Sequence, residues 1–159
     1  METKTAFLAD RLQEVLLDGR WIANTNFREQ IQSVDWVQAT RQFENLNTIA
    51  KLTFHINYYL EGLLDAFATG ELTIRDKYSF DLPPIQSADD WEKLVDTFLS
   101  NSQKFVDYVR SMDDCLLDAP FIDEKYGNYF RNIQGVIEHS YYHLGQVSLL
   151  RKLIQTTNL

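Results

Sequence analysis

The sequence predicts an all-α fold, a four-helix bundle with long inter-helix connections. Four segments carry apolar residues at the spacing of a helix face. Only 3 prolines and 6 glycines fall among 159 residues, which leaves room for long uninterrupted helices. No internal repeat, low-complexity tract or linker divides the chain, so residues 1–159 read as a single domain. A chain of that length buries a core without disulfides or structural metals.

The first segment, about residues 5–18, sets Leu8, Leu12, Val15 and Leu16 on one side, with Gly19 beyond as a stop signal. Residues 19–42 are less regular and hold one or two short helical turns. The second segment, about 43–68, runs through Ile49, Leu52, Ile56, Tyr59, Leu63 and Phe67 and ends at Gly70. In the DKYSFDLPPIQSADD stretch that follows, the Pro83-Pro84 pair breaks any helix and favours extended chain. The third segment, about 88–112, opens with Ser87 as N-cap and Asp90 three residues on. Its stripe is Trp91, Leu94, Phe98, Phe105, Val109 and Met112. DAPFIDEKYGNYF, with Pro120 and Gly127, reads as a loop. The fourth segment, about 128–155, carries Val136, Val147, Leu150 and Ile154. Connections this long permit crossovers and leave the helix order open.

Charge narrows the partners. With 15 basic and 23 acidic residues the chain carries a formal charge of -8. Nucleic acid and anionic lipid repel such a chain at long range, so neither is an expected partner. Nothing approaches the roughly 20 apolar residues that span a bilayer, and METKTAFLADRLQEV lacks a signal-peptide core. The single Cys115 cannot form an internal disulfide, which points to a reducing cytoplasm. Its acidic neighbours in SMDDCLLDAP disfavour the thiolate, so it reads as structural or incidental.

EHSYYHLGQ, residues 138–146, holds His139 and His143 four apart. At about 100° per residue they leave one helix face, shared with Val136, Val147, Leu150 and Ile154, while Glu138 and Lys152 fall opposite. Gln146 lies on the same face one turn on. The third histidine, His55, sits at the edge of the apolar arc of the second segment, near Tyr59. All three imidazoles thus aim inward. A buried polar ring without a partner costs about 1–3 kcal/mol, so these rings need partners. A divalent metal supplies them; so does a hydrogen-bonded polar core. Three ligands with an open position is the pattern of catalytic zinc, and imidazole also suits nickel and iron. HSYYH lacks the glutamate of the zinc-protease helix H-E-x-x-H.

NTIAKLTFHINYYLEG, with its mid-helix histidine, followed by EHSYYHLGQVSLLRK near the carboxyl end, resembles the DinB-like (DinB/YfiT) superfamily. That family's four-helix bundles end in H-x-x-x-H-x-G-Q, an apolar stretch and a basic pair, matched here by His139, His143, Gly145, Gln146 and the Leu-Leu-Arg after them. The resemblance implies that His55, His139 and His143 bind a divalent metal, zinc first, with nickel, iron or manganese as alternatives. It also implies a small-molecule substrate, a homodimer and, in some relatives, a low-molecular-weight thiol such as bacillithiol or mycothiol.

The leading functional expectation is a metal-dependent enzyme, a thiol-dependent transferase in which the metal activates a bound thiol. Gln146 is a candidate for orienting a substrate or ligand, or else it caps a core hydrogen bond. Tyr59 is a candidate donor of a hydrogen bond or proton, or else a core residue. With no inward carboxylate evident, thiol transfer fits better than hydrolysis, which needs a base. The alternatives are a metal-dependent hydrolase, a non-catalytic bundle stabilised by metal, and a metal-free helical dimer. Among the aromatic residues, Tyr126, Tyr129 and Phe130 stand at the start of the fourth segment, where they would line a pocket or a dimer face.

Overall fold

The computed structural model describes residues 3–157, and the ends of the expected 1–159 domain lie outside that range. Six α-helices occur among the described residues, against the four that periodicity suggests. They are α1 (Lys4–Gln13), α2 (Phe27–Gln32), α3 (Trp36–Ala39), α4 (Ile49–Thr69), α5 (Ala88–Ser111) and α6 (Tyr129–Thr157). The short α2 and α3 occupy the irregular stretch after Gly19. Helix α1 packs against α5 and α6, and α4 packs against the same two. Around the bundle the order is therefore α1, α5, α4, α6, so the α1-to-α4 and α5-to-α6 connections both cross a diagonal. The buried apolar side chains form one cluster, which contains the apolar stripes of all four long helices.

Each helix begins where a side chain satisfies its free amides. Thr3 accepts from Ala6 N, and Asp114 from the α5–α6 connection accepts from the amides of Lys4 and Thr5 at 3.0 and 2.9 Å. The same amides hold the Asp114 carboxyl below the ordinary carboxylate range. Ser87 caps α5 by accepting from Asp90 N at 3.2 Å, while the Asp90 carboxylate reaches back to Gln86 N. Asn128 accepts from Arg131 N at 2.9 Å as α6 starts.

Two boundaries differ from the periodic reading. The second helix starts at Ile49 rather than near 43, because Thr48 caps it by accepting from Lys51 N at 3.1 Å. Upstream, Glu44 takes a φ of 45° and the Gln42 amide bonds to the Glu44 carbonyl, which stabilises a turn in competition with helix. At the other boundary, α1 widens into a π-helical turn over Glu14–Asp18. Gly19 ends it in an extended conformation, φ -90°, not the left-handed one of a glycine stop. A Cβ there would lie 2.2 Å from Glu14 Cγ, so close approach is what calls for glycine. Glu14 then accepts from Ile22 N and from the Tyr141 hydroxyl at 2.7 Å, fastening this turn to α6.

Candidate metal centre

The middle of α4 and the middle of α6 lie side by side, and all three histidines meet across that seam. The Nε2 atoms converge: His139 Nε2 is 3.0 Å from that of His55 and 2.9 Å from that of His143. His55 and His143 are buried, at 5% and 6% exposure, whereas His139 is partly exposed. Inward placement thus holds fully for two rings, and the third stands at the edge of a cleft.

The outer nitrogens fix the tautomers. His55 Nδ1 lies 3.2 Å from the Ser79 carbonyl, which can only accept, so the ring proton is on Nδ1. His143 Nδ1 donates to Gln146 Oε1 at 2.7 Å. Both rings therefore turn an Nε2 lone pair toward His139. A proton on His139 Nε2 serves one of the two contacts and leaves the other lone pair without a donor. Divalent cations bind neutral imidazole through such lone pairs, and outer nitrogens hydrogen-bonded to carbonyl groups are the usual support of metal-binding histidines. The three residues form a cluster that could hold a metal ion.

Burial and mutual proximity keep the rings neutral. Burial, then the neighbouring charges of His143 and His55, lower His139 to about 4 from 6.5. Burial also lowers His55, followed by the His143 charge, with the Ser79 carbonyl and Asp76 opposing. It lowers His143 as well, against the Gln146 hydrogen bond. The unfolded chain takes up protons from about pH 6.5 downward, while folded His139 stays neutral until about 4. The metal-free protein is therefore expected to lose stability as pH falls from 6.5 toward 4. Histidine-detected NMR titration checks the pKa, and denaturant midpoints at pH 7 and 5 check the trend.

A strap between α4 and α5 closes one side of the cluster. Phe80 stacks on the His55 ring with centroids 3.9 Å apart. One turn along α4, Tyr58 clasps the backbone of Arg75: its hydroxyl accepts from Arg75 N at 2.9 Å and donates to Arg75 O at 3.0 Å. The Tyr59 hydroxyl donates to Asp76 Oδ1 at 3.0 Å, and its ring meets His55 and His139 edge-on. Burial raises the Tyr59 phenol. Further along the helix, Gly62 admits Ile74, whose Cγ2 would be 2.1 Å from any added Cβ. His55, Tyr58, Tyr59 and Gly62 thus form one face of α4, spaced i, i+3, i+4, i+7, dedicated to holding residues 74–80.

Beside the cluster opens a cleft of about 650 Å³. His139, Tyr59 and Asp76 line it, with Arg75, Arg131, Asn132 and Tyr126. Asp76 corrects the expectation that no carboxylate faces the site. It lies 21 residues beyond His55 in a connection without helical period, so no pattern could place it. Gln146 stands behind His143 and lines a separate depression with Asn45, Leu46 and Leu149, away from the cleft. Glu138 points to solvent. Of the three aromatic residues around the start of α6, Tyr126 reaches the cleft, Tyr129 packs on Phe67 and Phe121, and Phe130 is exposed. Cys115 is exposed, and its thiol is raised by a hydrogen bond to Asp113, in line with an unreactive cysteine.

A helical protein whose two central helices bring three imidazoles together at a cleft belongs to the class of histidine-centred helical bundles. The family model of the DinB superfamily matches residues 24–147, more than half of the chain and including every residue of the histidine cluster. The chain belongs to the DinB superfamily. The match leaves out α1 and the Leu149-Leu150-Arg151 stretch. No curated protein and no solved structure matches the chain. Among the described residues no helix is long and apolar enough to cross a membrane.

Proposed function

We propose that this chain is a divalent-metal-dependent enzyme acting on a small molecule in the cleft beside His139, most simply a thiol-dependent transferase. His55, His139 and His143 are its metal ligands through Nε2, with zinc the first candidate and nickel, iron or manganese the alternatives. The observation that carries this reading is the convergence of the His55 and His143 Nε2 atoms on that of His139, at 3.0 and 2.9 Å, with two outer nitrogens already engaged. A bound metal would lower the pKa of a coordinated thiol or water toward neutrality. His139 joins the centre to the cleft, and Tyr59 lies between its ring and Asp76, where a hydroxyl can pass a proton or a hydrogen bond to a bound molecule.

Gln146 acts by positioning His143, since it touches the outer nitrogen and not the cleft. Replacing it with leucine removes the acceptor while keeping much of the volume. Metal affinity is expected to fall about 10–100-fold, the usual effect of losing such a support. Competition against a chromogenic chelator measures it, and an unchanged affinity would remove Gln146 from the centre.

Asp76 favours a second reading, a metal-dependent hydrolase. A carboxylate at the cleft, hydrogen-bonded to Tyr59, supplies the kind of base that hydrolysis requires. One screen separates the two. Metal-loaded and metal-free protein are offered bacillithiol or mycothiol with electrophiles in one arm, and esters and amides without thiol in the other. Metal-dependent consumption of thiol supports transfer, metal-dependent hydrolysis supports the second reading, and neither activity leaves a metal-stabilised bundle.

The enzyme is proposed to work in the cytoplasm as a single-domain protein and a homodimer. The single buried cluster supports one domain. On the outer face of α6, Tyr142 and Leu149 are 64% and 56% exposed with Gly145 between them, an apolar stripe that a second copy would cover. Sedimentation measures the mass in solution.

A further inference from the structure

The cleft carries information about its occupant beyond the reaction class. Its walls are mixed: Leu63, Ile74, Phe121 and Val136 offer apolar surface, while Arg75 and Arg131 join the lining from two elements, the strap and the first turn of α6. The single carboxylate in the lining, Asp76, is already engaged by Tyr59. Two arginines against one carboxylate thus line the cleft of a chain whose formal charge is -8.

Neither guanidinium is used up by the fold. Among the described residues the Arg75 side chain makes no hydrogen bond or ion pair, although its backbone is clasped on both sides by Tyr58. The clasp fixes where the side chain departs and leaves its head free. Arg131 has one partner, Glu138, at 3.6 Å with both side chains well exposed. Such a pair contributes little and exchanges readily for a better acceptor. Gly127, at φ 76°, leaves the Arg131 stem in ordinary contact where a Cβ would sit. A planar fork with five donors suits carboxylate and phosphate oxygens in particular.

We propose that the cleft binds a small organic anion, its apolar body against Leu63, Ile74, Phe121 and Val136 and its carboxylate or phosphate on Arg75 and Arg131. That orientation leaves the other end of the molecule at His139. The assignment of a reactive end rests on the function proposed above, whereas the anion preference stands on the arginines alone. A volume of about 650 Å³ is in the range of small-ligand sites, which fits one such molecule and no polymer.

The test uses three probes of similar size: 3-phenylpropionate, phenylphosphonate and the uncharged 3-phenylpropionamide. Each is titrated by NMR into metal-loaded and metal-free full-length protein, and into the Arg75→Gln/Arg131→Gln double variant. At least one anion is expected to bind about tenfold or more tightly than the amide, as for a charge-assisted hydrogen-bonded pair. The better of the two anions identifies the head group. In the double variant this preference is expected to fall below about threefold, with metal content and circular dichroism unchanged because both guanidiniums lie at the surface. Equal binding of amide and anions overturns the proposal, as does binding of no probe. A preference that survives in the double variant but disappears on metal removal assigns the anion to the metal and also overturns it. If the protein retains no metal, the proposed function fails, while the metal-free titration still decides the role of the arginines.

Discussion

Replacing His139 with alanine is expected to abolish the stabilisation by a divalent ion that the proposed three-histidine centre would confer. Linkage sets the magnitude: a ligand present at about 1,000 times its dissociation constant stabilises the folded state by about 4.1 kcal/mol. For a domain of this size that is a rise in Tm on the order of 10 °C. His139 is the residue to change because its Nε2 stands between the other two, at 3.0 and 2.9 Å. Without it the remaining lone pairs have no third member, and two imidazoles alone hold a metal far more weakly. The ring is only partly buried, so its removal leaves a smaller void than loss of His55 or His143 would. Differential scanning fluorimetry with and without zinc is the measurement. The wild type is expected to shift and the variant to stay within about 1–2 °C; equal shifts in both would place the metal elsewhere.

The second large effect is expected at Gly62, two turns along α4 from His55. Alanine in mid-helix ordinarily gains about 1 kcal/mol over glycine. Here the added Cβ would lie 2.1 Å from Ile74 Cγ2 and 3.2 Å from its Cβ, so the branched Ile74 side chain, and the strap with it, must give way. Overpacking of that kind costs about 1–3 kcal/mol, which outweighs the propensity gain. The Gly62→Ala variant is expected to be less stable, with a disturbed site, because residues 74–80 carry Asp76 to Tyr59 and Ser79 and Phe80 to His55. The companion change Ile74→Ala makes room for the Cβ and is expected to recover part of the loss in a double-mutant cycle. Urea denaturation of the four proteins gives the coupling. Additive effects would show that the strap does not rest on Gly62.

Both expectations depend on parts of the molecule that differ in how legible they are. The helix stripes could be read because burial imposes a period: Leu12, Ile56, Phe105 and Val147 each fall where about 3.6 residues per turn puts them, and each is buried. The histidines could be read for the same reason, since a polar ring on an apolar face stands out. Boundaries were less legible where local side chains compete with the helix, as Thr48 does at α4 and as the widened turn at Glu14–Asp18 does at the end of α1. Ser79, Asp76 and Phe80 were not legible, because they reach His55 and Tyr59 across a connection with no period of its own. A trace was present on the other side of that contact. Tyr58, Tyr59 and Gly62 continue the His55 face with hydroxyls and a glycine where a plain core helix would carry aliphatic residues. Spacing puts Gln146 on the histidine face, while the fold turns it to the outer nitrogen of His143 rather than to the cleft.

The strap also explains why a three-histidine arrangement can persist without collapsing into an ordinary core. His55 is held by Ser79 and Phe80, and His143 by Gln146, so two rings are oriented before any ligand arrives. Such preorganisation reduces the ordering cost at the moment of binding. It also leaves lone pairs facing one another, a local cost that the surrounding packing sustains.

The metal content of the protein, purified without an affinity tag and gel-filtered after exposure to zinc, nickel, iron(II) or manganese, tests the central claim most directly. Elemental mass spectrometry is expected to find one equivalent of one of these metals in the wild type and none in the His55→Ala/His139→Ala/His143→Ala variant. A wild type that retains no metal, or a triple variant that retains as much as the wild type, would contradict the three-histidine centre.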